Sequence, residues 1–321
     1  MSTAANDALP PAAALDAQIA GLLAAMAHVP QPDYTTLTAA QLRAAMAANP
    51  SPFAPGDEVA AISDRTLYGP NGDLRIRLYR PHGDAAALPM TLYFHGGGFV
   101  ACGLDTHDNI CRTLAARAGS LVVSVDYALA PEAPFPAAVE DAQFALDWLD
   151  ANAASVGADA TRLAVAGDSA GGNLAAVLAQ LARRNGPQLR HQLLLYPVTD
   201  CAGESETYAA FGRGYFLSAD AMRWYRRQYV ADAKTALDPR ASPLRAATVA
   251  GVAPATIVTA EFDPLRGEGE AYARKLEGDG VAVACRCWPG QVHGFASMLG
   301  VIDAADAALT FAAGQLRIAL R

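Results

Sequence analysis

From residue 90 to the end of the chain, short apolar runs rich in β-branched residues alternate with segments whose apolar side chains recur at helical spacing. The runs are TLYF, LVVSVDY, RLAVAGDS, HQLLLYPV, ATIVTAEFD and VAVACRCW. Helices are expected near 107–118, 137–150, 170–184 and 267–277, with a last one carrying Ile302, Ala305, Leu309, Ala312 and Leu316. Strands alternating with helices build a mostly parallel twisted sheet with helices on both faces, because a parallel pair needs a long crossover between its strands. The expected class is therefore α/β. Residues 59–80 precede this region and read as a β-hairpin, since DRTLYGP and DLRIRLYR flank Asn71-Gly72, a dipeptide that accepts positive φ at a tight turn.

Two stretches break the alternation. Before residue 50, Ile19, Leu22, Leu23 and Met26 recur at helical spacing, and Thr38 with Gln41 forms a capping-box pattern ahead of Leu42 and Met46. A Pro-rich connector, NPSPFAPGD, follows. Residues 201–250 are longer than a βα connection needs and carry Tyr208, Phe211, Tyr215, Phe216, Trp224, Tyr225 and Tyr229, which reads as an inserted helical piece. The expected organisation is an N-terminal helical cap segment at 1–50, core at 51–200, an inserted cap segment at 201–250, and core again at 251–321. The two helical segments would cover the carboxyl edge of the sheet, where open α/β sheets hold their ligands.

Gly167-Asp168-Ser169-Ala170-Gly171 fits G-x-S-x-G. Alone the pattern is weak, but here RLAVAGD reads as a buried strand ending at the motif, and Leu174, Val177, Leu178 and Leu181 give the next helix an apolar stripe. This strand-turn-helix setting is what a nucleophile elbow requires, with the helix N-terminus adding positive potential beside Ser169. A serine hydroxyl is a poor nucleophile and needs a base, itself oriented by a carboxylate. Of six histidines, only His293 follows every strand-end acid, and the expected chain order is serine, acid, histidine. Asp263, which ends ATIVTAEFD, is the leading acid; Asp200, which ends LLLYPVTD, is the runner-up, and Glu261 the third candidate. Asp168, beside the serine, reads as structural, held by the amides of the helix start.

His95-Gly96-Gly97-Gly98-Phe99 follows the strand TLYF. Consecutive glycines let backbone N–H groups approach a reacting oxygen, and an acyl-transfer intermediate needs such donors. Gly97, Gly98 and Ala170 are the expected oxyanion donors. No phosphate-loop pattern accompanies the glycines.

With HGGGF at 95–99, DYALAPEAPFPAAVED at 126–141, GDSAGGN at 167–173, DPLRG at 263–267 and HGF at 293–295, the chain resembles the bacterial hormone-sensitive-lipase-like esterases, family IV of the lipolytic enzymes. The resemblance runs from about residue 60 to the C-terminus. It implies an α/β-hydrolase fold with a helical cap, no cofactor, and hydrolysis of small-molecule esters with short to medium acyl chains. It places the catalytic triad on Ser169, Asp263 and His293 and the oxyanion hole on Gly97, Gly98 and Ala170. It also implies pairing of two copies through the sheet edge. Two positions depart from the family pattern: Ala128 stands where arginine is usual, and Gly267 where aspartate is usual. The same site chemistry would serve an amidase, a thioesterase or a β-lactam hydrolase. A ligand-binding protein on this scaffold, like the plant gibberellin receptor, would lack the triad histidine.

Charge and composition exclude other classes. With 24 basic and 32 acidic side chains the net charge is −8, so no general positive field favours nucleic acid. No run reaches 18 uninterrupted apolar residues, and MSTAANDALPPAAALD has no basic region ahead of an apolar core, so neither a membrane span nor a secretory leader is expected and the cytoplasm is the default. Cys102, Cys111, Cys201, Cys285 and Cys287 are odd in number and scattered, which fits reduced structural thiols. Asp105-Thr106-His107-Asp108 lacks metal-ligand spacing and reads as the acid-rich start of a helix.

Overall fold

The computed structural model describes residues 14–49 and 52–321. In chain order the elements are α1 (Ala17–Met26), α2 (Ala39–Ala48), β1 (Ala61–Gly69), β2 (Gly72–Arg80), β3 (Leu88–Phe94), α3 (Asp108–Ala118), β4 (Leu121–Asp126), α4 (Ala137–Asn152) and β5 (Ala158–Asp168). There follow α5 (Ala170–Asn185), β6 (Leu189–Leu195), α6 (Glu206–Phe211), α7 (Ala219–Tyr229), α8 (Ala233–Ala236), β7 (Ala255–Phe262), α9 (Arg266–Gly278), β8 (Val283–Val292) and α10 (Asp303–Ala319). The strands form one eight-stranded sheet in the order β1-β2-β4-β3-β5-β6-β7-β8. The hairpin forms where expected, but its turn residues are Pro70 and Asn71 rather than Asn71 and Gly72: Gly69 pairs with Gly72, which opens β2 with φ +113°; β2 joins β4 antiparallel, and every pairing from β4 through β3 to β8 is parallel.

Side-chain alternation along these strands feeds two cores. Leu92, Phe94, Leu194 and Ile257 point to the face covered by α4, α5 and α9, while Tyr93, Leu193, Leu195 and Val258 point to the face covered by α3 and α10. Every residue of β7 is buried, which is why ATIVTAEF reads as a continuous apolar run rather than an alternating one. The parallel strands all run toward the same edge, so the loops after β3, β5, β7 and β8 emerge side by side.

The two N-terminal helices go to different places. α1 packs Ile19 into the core beside α10, with Asp16 N donating to Gly290 O at 3.1 Å and Asp303 N to Gln18 Oε1 at 2.9 Å. α2 carries the expected capping box, worth about 1 kcal/mol, and buries only Ala39. So small a buried face does not hold a helix in place; Arg43 does. Its guanidinium donates to Val100 O at 2.7 Å and Ala130 O at 2.8 Å and pairs with Glu132. The Trp224 indole of α7 donates to Leu37 O at 3.0 Å and so joins α2 to the 201–250 segment. Thus α2, not α1, accompanies that segment over the carboxyl edge.

The 201–250 segment is anchored by a buried polar cluster. Glu268 Oε1 accepts from Thr199 N at 2.8 Å and Asp200 N at 3.3 Å, and Arg226 of α7 donates to Tyr208 Oη and to Asp200 O. Burial pushes the Glu268 carboxyl up to about 8, since Arg226, at 3.7 Å, stands beyond hydrogen-bond reach. A folded-state pKa above the ordinary 4.5 means that folding takes up a proton there. The resulting stability is complete below about pH 4.5 and is lost as pH rises through about 8. The thermal midpoint, followed by circular dichroism, is expected to decline with pH across this window more steeply in the wild type than in Glu268→Gln; equal slopes would contradict the assignment.

The two departures from the family pattern have local accounts. A Cβ at Gly267 would stand 2.7 Å from Ser205 Oγ, which bonds Thr207 Oγ1, the acceptor for Gly267 N, so a side chain here would displace that cluster. At the other position Ala128 N donates to the buried Asp141 Oδ2, while Asn71 Nδ2 from the hairpin turn donates to Oδ1, so Asp141 is met by neutral donors.

Candidate active site

β5 ends at Asp168, and the chain reverses at Ser169 into α5. Ser169 has φ +53° and ψ −116°, a conformation that costs a non-glycine residue energy and is held by its surroundings. Ser169 N donates to Leu195 O at 2.9 Å, and Ser169 O accepts from Val198 N at 3.0 Å. The turn presses α5 against β3: a Cβ at Gly171 would lie 1.9 Å from Phe94 O, so only glycine permits this approach.

His293 follows β8 and Asp263 follows β7, placing both beside the elbow. His293 Nε2 lies 2.9 Å from Ser169 Oγ, and His293 Nδ1 lies 2.7 Å from Asp263 Oδ2. The second Asp263 oxygen accepts from Leu265 N at 2.8 Å, so the fully buried carboxylate has donors on both oxygens. Tyr196 meets the imidazole edge-on with centroids 4.9 Å apart. The three leading residues of the sequence reading therefore form one continuous hydrogen-bonded chain. The runner-up acid is elsewhere: Asp200 is bound by Arg245 at 2.7 and 2.8 Å and by the amides of Ala202 and Gly203. Glu261 accepts from Gly290 N at 2.8 Å.

The glycine loop lies beside the serine. Gly97 and Gly98 both have positive φ, and their amides donate to no acceptor among the described residues. Ala170 opens α5, so its N–H has no intrahelical acceptor. At Gly98 a Cβ would fall 2.3 Å from the Tyr225 ring, which shows how closely α7 covers the loop. Ser169, His293, Gly97 and Gly98 line a cleft of about 950 Å³, walled by Phe216, Leu217, Met222 and Tyr225 from the 201–250 segment and by Met46 and Ala47 from α2.

Several participants escaped the sequence reading. Asp168 is not held by helix amides; as the last residue of β5 it points toward β3 and accepts from Tyr93 Oη at 2.6 Å and Gly96 N at 2.9 Å, with His107 Nε2 at 3.2 Å. Cys102, grouped with the structural thiols, lines the cleft, and burial pushes its thiol up to about 12, which keeps it protonated. All five cysteines are free thiols. Arg43 had one signal, as the only lysine or arginine among the first 64 residues. Asp105 pairs with Arg77, and Asp108 pairs with Arg112, so both serve ion pairs at the start of α3. Among the described residues no group of three or more histidine, cysteine, aspartate or glutamate side chains is arranged to hold a metal, and no helix is long and apolar enough to cross a membrane.

A mostly parallel eight-stranded sheet with a serine on its strand-to-helix elbow is the architecture of an α/β hydrolase. Residues 91–297 match the family described as having the alpha/beta hydrolase fold. Carboxylic ester hydrolase LipN of Mycobacterium tuberculosis is 44% identical over 81% of this chain and 69% of its own length, and ethyl acetate hydrolase of Pseudomonas putida is 44% identical over 81% and 84%. Among solved structures, LAE6, an alpha/beta hydrolase enzyme from the metagenome of Lake Arreo, superposes with a TM-score of 0.90 at 40% identity, covering 95% of this chain and 98% of that one. The hyperthermophilic esterase of Pyrobaculum calidifontis superposes with a TM-score of 0.89 at 37% identity, covering 96% and 100%. The chain belongs to the α/β-hydrolase family, in its hormone-sensitive-lipase-like branch.

Proposed function

We propose that this chain is a carboxylic ester hydrolase that cleaves short- to medium-chain acyl esters through an acyl-enzyme on Ser169. His293 takes the Ser169 proton as the oxygen attacks the ester carbonyl, Asp263 holds the imidazole so that Nε2 is the free base, and the amides of Gly97, Gly98 and Ala170 bind the oxyanion. His293 then gives its proton to the leaving alcohol, and water repeats the sequence to free the acid. The observation that carries this reading is the unbroken chain from Asp263 through His293 to Ser169 Oγ beside a loop with unengaged amides. Similarity to proteins named as ester hydrolases and esterases supports the same reaction.

An apolar wall of Phe216, Leu217 and Met222 suits an acyl chain, and the cleft volume sets a limit on its length. The test is a series of p-nitrophenyl esters from acetate to palmitate with the matching anilide of the best acyl group. Turnover is expected to peak at short to medium chains and to fall steeply for palmitate and for the anilide. A peak at palmitate would overturn the chain-length reading, and an anilide cleaved faster than its ester would make the enzyme an amidase. The free thiols support a cytoplasmic setting. Pairing of two copies through the sheet edge is expected from the family and is checked by sedimentation.

A further inference from the structure

The acyl-transfer reading leaves a buried histidine–aspartate contact unused. Asp168 and His107 are both buried, 61 residues apart in sequence, at the point where the glycine loop leaves β3. Asp168 Oδ1 accepts from Tyr93 Oη at 2.6 Å and from Gly96 N at 2.9 Å, and Oδ2 faces His107 Nε2 at 3.2 Å. On the far side of the ring, His107 Nδ1 lies 2.8 Å from Thr106 Oγ1. That hydroxyl also lies 2.9 Å from Gly103 O and accepts from Gly103 N at 3.0 Å.

A hydroxyl has one proton to give. When Thr106 donates to Gly103 O, its oxygen is left to accept from Nδ1, and Asp168 Oδ2 in turn calls for a proton on Nε2. Gly96 N–H, which also passes 3.2 Å from Nε2, has its acceptor in the closer, charged Oδ1. A ring proton on Nε2 meets Oδ2 whichever way the exposed Thr106 hydroxyl turns, whereas a ring with its proton on Nδ1 alone leaves Oδ2 without this donor. Burial acts to raise the Asp168 carboxyl, but the charge and hydrogen bond of His107, the Tyr93 hydroxyl and His95 outweigh it and hold Asp168 below the usual carboxylate range. The other ionisable groups around the ring are Tyr93 from β3 and His95 and Cys102 from the loop that follows it, while Asp105 and Asp108 on its own segment are engaged by Arg77 and Arg112.

We propose that His107, donating from Nε2 to Asp168, is a positioning residue that holds the glycine loop where its amides meet the oxyanion. The proposal rests on the acyl-transfer reading. Asp168 adjoins Ser169 in sequence, and Gly96 adjoins Gly97, so the pair ties the nucleophile turn to the oxyanion donors by one hydrogen-bonded bridge. Loss of His107 leaves a buried carboxylate short of a donor and frees the loop to shift. Because the oxyanion forms only during reaction, the loss falls on kcat rather than on KM.

The experiment uses the full chain with p-nitrophenyl butyrate. His107→Ala is expected to lower kcat about 10- to 100-fold with KM changed by less than about threefold, and His107→Gln, which restores a donor to Asp168, to recover part of the loss. In nitrogen-15 NMR of the resting wild-type enzyme at neutral pH, the Nε2 of His107, assigned by its disappearance in His107→Gln, should carry a proton. An unchanged kcat in both variants alongside a lowered thermal midpoint, or a proton-free Nε2 on His107, overturns the proposal. If His107→Ala does not fold, the glutamine variant and the spectrum still decide. Ser169→Ala separates the two claims: retained turnover there defeats acyl transfer itself, whereas loss of turnover there with unaffected His107 variants defeats only this positioning role.

Discussion

Replacing Ser169 with alanine is expected to lower kcat for p-nitrophenyl butyrate by about a millionfold, the scale seen when a nucleophile is removed from a hydrogen-bonded triad. The change deletes one buried hydroxyl whose neighbour is His293 Nε2, at 2.9 Å. No covalent intermediate can then form, and the remaining rate comes from the oxyanion donors and from substrate binding alone. Folding should survive, because the backbone bonds that hold the elbow, from Ser169 N to Leu195 O and from Val198 N to Ser169 O, do not involve the side chain. Alanine must still adopt φ +53°, as serine does, so the strain is unchanged to first order. Steady-state turnover, together with an unaltered far-ultraviolet spectrum, checks both halves of the expectation. Turnover within tenfold of the wild type would end the acyl-enzyme mechanism.

Asp263→Asn should cost about ten-thousandfold in kcat, and the hydrogen bonds give the reason. One carboxylate oxygen accepts from Leu265 N at 2.8 Å, so the asparagine carbonyl must take that position and the amide NH₂ must face His293. An NH₂ there makes Nδ1 the acceptor and places the ring proton on Nε2, the atom that has to receive the Ser169 proton. The base is then in the wrong tautomer although nearly every atom remains in place. Asp200→Asn is the control: it disrupts the pairing with Arg245 and is expected to lower the thermal midpoint while leaving kcat within a few-fold. Should Asp200→Asn prove the more damaging to kcat, the acid has been misassigned.

The legible parts of this molecule are those whose requirements are local. An elbow needs small residues around a serine between a buried strand and a helix, and GDSAGG supplies them in sequence. The glycine loop was legible for the same reason, since positive φ at Gly97 and Gly98 is a property of adjacent residues. Chain order admits both Asp263 and Asp200; Asp263 leads because it ends the apolar run ATIVTAEFD just before Pro264, and the geometry agrees: the loops after β7 and β8 are neighbours because those strands pair. Asp200 follows β6, and the arginine that claims it lies 45 positions later.

The strand-helix rhythm, the hairpin, the glycine loop and the serine elbow were all decided by the sequence itself, because each depends on residues within a few positions of one another. Only the tertiary structure decided that α2 rather than α1 reaches the cleft, that Cys102 lines it, and that Asp168 meets His107 instead of helix amides. Those outcomes depend on contacts between positions 57 or more apart, as between Arg43 and Val100 or His107 and Asp168. Such contacts form wherever packing of the sheet's two faces brings the elements together, and no local preference of the chain encodes them.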